Sequence, residues 1–187
     1  DWIPYLQNLL DKFNIRKVKK IVPGGSSGQE SIYNGLQAAE EIAGGEKSIV
    51  LIHDGVRPLI NEKTISDNIE SVKKHGSSIT CVKVKETVLV VAEDNSIEDV
   101  PNRADTRLAR APQSFYLDEI IGAHRKAMAE NKYDFIDSCS MMQYYGKKLY
   151  LIEGPQENIK ITTPDDFYTM RALLDAREEA QIYGLED

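Results

Sequence analysis

Residues 48–58 read SIVLIHDGVRP. The first six, SIVLIH (48–53), form an apolar run of strand length with no polar alternation. A strand that offers no polar face to water is expected to be buried on both faces, as in a parallel sheet covered by helices. The chain then places Asp54, Gly55, Arg57 and Pro58 directly after that run. In open α/β sheets, ligands bind beyond the carboxyl ends of the strands, so this turn is the first place to look for chemistry.

Working outward, the spacing of Trp2, Leu6, Leu9, Leu10 and Phe13 predicts an amphipathic helix over 2–13. VKKIV (18–22) reads as a short strand ending at Pro23-Gly24-Gly25, and a helix follows over about 30–43 with Gly44-Gly45 as its stop. Downstream, a helix over about 62–75 closes at Gly76 and leads into the strand SITCVKV (78–84). This β-α-β-α-β alternation predicts an α/β fold, with a mostly parallel sheet and helices on both faces. The pattern then changes: TVLVVA (87–92), the turn EDNS (93–96) and IEDV (97–100) read as a hairpin arm projecting from the domain. Helices over 117–130 and 136–145, strands over 149–152 and 158–161 and a long helix over 164–180 complete the expectation. With no repeat or low-complexity linker in sight, 1–187 is expected to be one domain, with 85–104 as its arm.

Composition narrows the function classes. A formal net charge of −7 excludes a general nucleic-acid binder, which needs a basic excess. No apolar run approaches the ~20 residues that span a bilayer, so no membrane partner is expected. Cys81 and Cys139 form no CxxC pair, as expected of reduced thiols in a cytoplasmic protein. The chain opens on DWIPYLQNLL, with no Met and a helix first, as expected of a piece whose preceding part is missing.

Three polar constellations fall at strand ends. In GGSSGQES (24–31), glycines let backbone approach a ligand closely and hydroxyls precede a helix N-terminus, although a plain turn with an N-cap accounts for the same residues. In HDGVRP (53–58), Asp54 suits Mg²⁺ as a hard oxygen ligand, Gly55 leaves room beside it, and Arg57 can grip a phosphate through two N–H groups. An Asp54–Arg57 ion pair closing the turn is the structural alternative, and His53 reads as a satisfied, partly buried side chain. In NIKITTPDD (158–166), Lys160 sits within an apolar strand pattern and is costly to bury unless an anion meets it. Thr162, Thr163, Pro164, Asp165 and Asp166 make a helix start. Arg103, Arg107 and Arg110 in PNRADTRLARAPQSF (101–115) are either a solvated strand face or an anion site.

Together, GGSSGQESIYNG, VLIHDGVRP, PNRADTRLARAPQSF, DFIDSCSMMQYYG and EGPQENIKITTPDDF resemble the cytidylyltransferases that make CDP-linked polyols. These enzymes act on 2-C-methyl-D-erythritol 4-phosphate or ribitol 5-phosphate. The similarity runs through almost the whole chain, and the paired H-D-x-x-R-P and N-I-K-[IV]-T motifs carry it. It implies a Rossmann-like nucleotidyltransferase fold, a homodimer built by the arm, CTP and a polyol phosphate as substrates, and Mg²⁺ or another divalent cation. By position, it implies Asp54 on the metal, Gly55 against the nucleotide, and Gly24, Gly25 and Ser31 near cytosine and ribose. It implies Lys160 at the α-phosphate, and Arg57, Thr87 and Arg103 on the polyol phosphate across the dimer interface. Ile136 stands where the erythritol enzymes carry Thr, and Gly28 where the family carries a basic residue. The family's L-A-A/G-G-x-G-x-R-M loop has no counterpart here, so the chain alone is expected to lack normal activity. HDGVRP and VPNR look more like the ribitol-type members than like HDAARP and VDR of the erythritol type. A nucleotide-sugar transferase would need a D-x-D motif after a strand, which is absent, and a non-catalytic nucleotide-binding or dimerisation module is the other alternative.

Overall fold

The computed structural model describes residues 2–183. In chain order the elements are α1 (Ile3–Lys12), α2 (Gly28–Ala43), β1 (Ile49–Ile52), α3 (Glu62–His75), β2 (Ser77–Lys83), β3 (Val90–Val91), β4 (Ile97–Asp99), β5 (Arg107–Tyr116), α4 (Leu117–Ala129), α5 (Ser138–Tyr144), β6 (Leu151–Glu153) and α6 (Pro164–Tyr183). They group into two compact units: residues up to Val50 with Phe115–Leu149, and Leu51–Ser114 with Tyr150 onward.

The first unit is helical. The Ser27 hydroxyl caps α2 by accepting from the Glu30 N–H at 3.1 Å, and Gly44, at φ +57°, ends it in a conformation that costs a residue with a Cβ. Leu36 and Ala38 are buried on α2, which packs on α4, where Ile120, Ile121, His124 and Ala127 are buried. A capping box between Asp137 and Ser140 starts α5, which packs on α4 and buries Met141 and Met142.

The second unit holds most of the sheet, whose strand order is β1-β5-β2-β6. β2 and β6 run parallel, with Ile79 opposite Leu151 and Cys81 opposite Glu153. Helix α3 packs on β2 and on β6. The buried Asn68 of α3 donates to Thr80 Oγ1 at 2.9 Å and accepts from the Ser114 hydroxyl at 2.9 Å, tying helix, β2 and β5 with its amide satisfied on both sides.

Four expectations change. The strand buried on both faces is β2, with Ser77–Val82 all buried, whereas β1 is half-buried along its length. Among the described residues β1 ends the strand order and has one neighbour, in keeping with its half burial. No strand forms at 18–22, because no described segment offers that stretch a ladder partner. None forms at 158–161 either, since side chains and a loop take its main-chain groups: two arginines reach the Asn158 carbonyl, and the Ile161 N–H donates to Val56 O at 2.9 Å. The hairpin exists but is shorter than read, β3 pairing antiparallel with β4 across an irregularity at Val90 and Val91. The ten-residue β5, the longest strand described, falls where the sequence offers only a basic stretch readable as a solvated strand face or an anion site. Its buried half, Ala111–Phe115, carries the apolar signal, while its exposed half, Arg107–Ala109, obscures it.

Candidate active site

The turn after β1 closes on itself. The Arg57 N–H donates to Asp54 O at 3.0 Å, and Arg57 Nε donates to Asp54 Oδ2 at 2.9 Å. The structural alternative for these two residues is therefore present, yet the ion pair is only one part of a larger cluster. Lys160 Nζ lies 3.6 Å from the same Asp54 oxygen. Arg57 Nη1 donates to Asn158 O at 3.0 Å, and Arg110 Nη1 donates to that carbonyl at 2.8 Å and to Gln156 O at 3.2 Å. Asn158 is fully buried and its amide donates to Ala111 O at 2.8 Å, so β5 anchors the loop that carries Lys160. His53 is half-buried and donates from Nε2 to Arg57 O at 2.9 Å, which makes it part of the turn. A Cβ at Gly55 would meet nothing within 4 Å among the described residues, so none of them demands glycine there.

Lys160 corrects its own premise. It is not buried in a strand; its side chain is 48 % exposed on a loop. What places it is the pair of contacts on either side, Asn158 fixed by arginines and Ile161 fixed by Val56. Arg57, by contrast, is 11 % exposed and rigidly held. Arg57 and Lys160 thus share one carboxylate, Asp54, while Arg110 meets Arg57 only at the Asn158 carbonyl. Burial and the neighbouring Arg57 both push the Arg110 guanidinium pKa down from its ordinary value.

The glycine–serine loop belongs to the first unit. Gly25 N–H donates to Ser31 Oγ at 2.9 Å, and that hydroxyl donates to Ser27 O at 2.9 Å. The Ser26 N–H and hydroxyl both donate to Glu30 Oε2 at 2.6 Å. The Ser26 hydroxyl and then its N–H hold the Glu30 carboxyl below its usual range. A Cβ on Gly25 would overlap Glu30 Cβ and Cγ, so only glycine fits under this latch, whereas one on Gly24 would sit 3.4 Å from Ser31 Oγ. Ser26, Ser27, Glu30, Tyr33 and His124 line a cavity of about 380 Å³, which Gly24, Gly25 and Ser31 do not line. The loop is thus both the N-cap that the bland alternative required and a preorganised main-chain surface.

The remaining expected residues lie elsewhere in the second unit. Thr87 is exposed in the segment between β2 and β3. Arg103 Nη1 donates to Lys85 O at 3.2 Å, and Arg103 lines an open cleft of about 450 Å³ with Lys83, Asn102 and Arg107. Among the described residues no hydrogen bond or ion pair joins Arg103 or Thr87 to Asp54, Arg57 or Lys160. The hairpin exposes Leu89, Val90, Val91, Ile97 and Val100, and Ile136 is almost wholly exposed. The sequence alone does not single out Asn158, and it offers Arg110 only as one of three basic residues. The only signal was a polar residue and a cation in otherwise apolar stretches. Neither cysteine forms a disulfide; Cys81 is buried and Cys139 half-buried. Among the described residues no three His, Cys, Asp or Glu side chains form a metal cluster, and no helix is long and apolar enough to cross a membrane.

Residues 2–176 match the family of 2-C-methyl-D-erythritol 4-phosphate cytidylyltransferases (IspD). The ribitol-5-phosphate cytidylyltransferase of Streptococcus agalactiae serotype V is 52 % identical over 185 residues, covering 99 % of this chain and 77 % of the relative. The 2-C-methyl-D-erythritol 4-phosphate cytidylyltransferase of Clostridium novyi is 40 % identical over 170 residues, 91 % of this chain and 71 % of the relative. The crystal structure of 4-diphosphocytidyl-2C-methyl-D-erythritol synthase from Anaerococcus prevotii superposes with a TM-score of 0.81 at 27 % identity, covering 94 % of this chain and 78 % of that one. The Rossmann-like nucleotidyltransferase fold expected from the motifs is therefore the fold observed.

Proposed function

Because the chain belongs to the 2-C-methyl-D-erythritol 4-phosphate cytidylyltransferase family, we propose that it is a nucleotidyltransferase moving CMP from CTP to a polyol phosphate, and that the acceptor is ribitol 5-phosphate. The observation that carries the choice of acceptor is the identity to a ribitol-5-phosphate enzyme, 52 % over 99 % of the chain, against 40 % to an erythritol-type relative. The Asp54–Arg57–Lys160 corner supports the reaction class, because it concentrates cations at a loop and offers no nucleophile–base pair.

In this reaction an oxygen of the acceptor's phosphate forms a bond to the CTP α-phosphorus while the bond to the β-phosphate oxygen breaks and pyrophosphate leaves. Little proton transfer is required, so positioning and electrostatic stabilisation carry the rate. Lys160, on a loop anchored from both sides, places its ammonium where charge builds on the α-phosphate. Arg57, held by Asp54 and Asn158 O, is fixed in orientation before any phosphate arrives. Gly24, Gly25, Ser31 and Gly55 offer main chain and small side chains to the nucleotide; Ser31 can add one accepting lone pair, since its proton is committed to Ser27 O. A divalent cation fits this donor set in one way, through the single carboxylate of Asp54 with phosphate oxygens completing the shell, as Mg²⁺ commonly binds. Bound there, it would neutralise phosphate charge. The exposed apolar side chains of the hairpin support a homodimer through the arm, with Thr87 and Arg103 presented to the partner's site.

Assaying the full-length protein with CTP and each polyol phosphate tests the proposal. CDP-ribitol formation with a kcat/KM at least tenfold above that for the erythritol phosphate is expected. Equal or reversed preference overturns the acceptor assignment, and no turnover with either overturns the reaction.

A further inference from the structure

We propose that Arg110 binds a phosphate oxyanion, forming with Arg57 a two-arginine fork held on the carbonyl of Asn158. The inference rests on the cytidylyltransferase reading for the identity of the phosphate, but the site itself follows from geometry. Two guanidiniums donate to one carbonyl oxygen, at 3.0 Å from Arg57 and 2.8 Å from Arg110. Like charges brought this close repel unless something negative compensates them. The nearest candidate, Asp54, gives the same Oδ2 to Arg57 and to Lys160. Arg110 contacts no carboxylate among the described residues; its partners are the main-chain oxygens of Gln156 and Asn158. The local count is three cations against one anion, in a protein whose net charge is −7.

The way Arg110 is held points to its use. Only Nη1 is occupied, donating to two carbonyls. A guanidinium has five N–H groups, and the edge carrying Nε and Nη2 makes no hydrogen bond among the described residues. That edge is the one whose parallel N–H pair matches two oxygens of a phosphate. A purely structural arginine would need only the Nη1 contacts and could be replaced by any donor of similar reach. Arg110 also sits half-buried, where an uncompensated charge is disfavoured, so an incoming dianion relieves a cost already present.

Two sources share this chemistry: the monoester of the acceptor, and the pyrophosphate end of CTP. Arg110→Gln and Arg110→Lys in the full-length protein separate them. If the acceptor is bound, Arg110→Gln raises KM for the polyol phosphate about tenfold to a hundredfold, with KM for CTP within about twofold, and Arg110→Lys recovers part of the loss. If the nucleotide end is bound, the rise appears in KM for CTP and in the inhibition constant of pyrophosphate. Titration with inorganic phosphate, followed by thermal shift, supplies a readout that needs no turnover: wild type is stabilised and Arg110→Gln is not. Equal phosphate stabilisation of both proteins overturns the site, as does a fall in kcat alone with both KM values unchanged, which marks Arg110 as a loop anchor. If wild type makes no CDP-polyol yet shows Arg110-dependent phosphate binding, the functional reading fails and the site stands.

Discussion

The glycine–serine loop and the Asp54 corner solve the same problem in opposite ways. Each fixes main chain with side-chain hydrogen bonds. In the loop, the bonds that fix its own main chain span six residues or fewer, Gly25 to Ser31, Ser26 to Glu30 and Ser31 to Ser27, and only Gln29 reaches farther, to Lys132 O and the Phe135 N–H. In the corner, the decisive bonds span about a hundred residues, from Arg57 to Asn158, and 48 from Arg110 to Asn158. The loop can form with its helix, but the corner exists only once the sheet has brought its pieces together. A local device should therefore tolerate distant change and fail through its own sterics, while a non-local one should fail at any of its members.

The largest effect is expected at the non-local corner. Lys160→Ala in the full-length enzyme should cost about 2–4 kcal/mol of transition-state stabilisation, a loss of roughly thirtyfold to a thousandfold in kcat. Since the side chain is 48 % exposed, its removal should leave the thermal midpoint nearly unchanged. Steady-state kinetics beside a melting curve checks both halves; near wild-type kcat refutes the role.

At the local loop the contrast is between neighbours. Gly25→Ala drives a methyl into Glu30 and must break the latch to Ser26, whereas Gly24→Ala places its methyl at an ordinary contact distance from Ser31 Oγ. The expected result is about a tenfold rise in KM for CTP from Gly25→Ala and less than about threefold from Gly24→Ala, with kcat changing less than KM in both. Equal effects would mean that the latch does not shape the nucleotide surface.

The same contrast explains what the sequence made legible. Helices α2 and α3 were readable because their stops are local: Ser27 and Asn61 at the starts, Gly44 and Gly76 at the ends. Asp54, Arg57 and Lys160 were readable as polar residues at the edges of apolar runs. The reasons they matter were not all readable. The apolar pattern around Lys160 predicts burial, and the side chain is exposed; its placement comes from Asn158, whose own role appears only when β5 lies beside the loop. Arg110 is hidden for the same reason, since a strand with two arginines in its first half and Gln113 and Ser114 in its buried half shows no clean apolar period over its length. The apolar run of β1 signalled a buried strand because composition reports hydrophobicity and not position in the sheet. Local rules reach as far as the bond spans they describe.

The smallest expected effect lies in acid stability, and it again separates the two units. Burial alone pushes His124, in the first unit, down from 6.5 to about 4, and it packs against Tyr33 with neither ring nitrogen hydrogen-bonded among the described residues. The unfolded chain therefore takes up a proton there before the folded one does, so stability should fall as pH drops from about 6.5 toward 4 and be unaffected above that window. Asp166, in the second unit, is pushed from 3.8 to about 2 by the Thr162 and Thr163 N–H groups and then by their hydroxyls, which it accepts at the start of α6. Its folded pKa is also depressed, so its contribution is complete above about 4 and is lost only as pH falls toward 2. Urea midpoints measured from pH 7 to pH 2 should thus decline in two steps. Asp166→Asn, which keeps one accepting oxygen but carries no charge, should flatten the lower step and leave the upper one in place. Loss of the upper step in that variant would mean that the decline near pH 5 does not arise from His124.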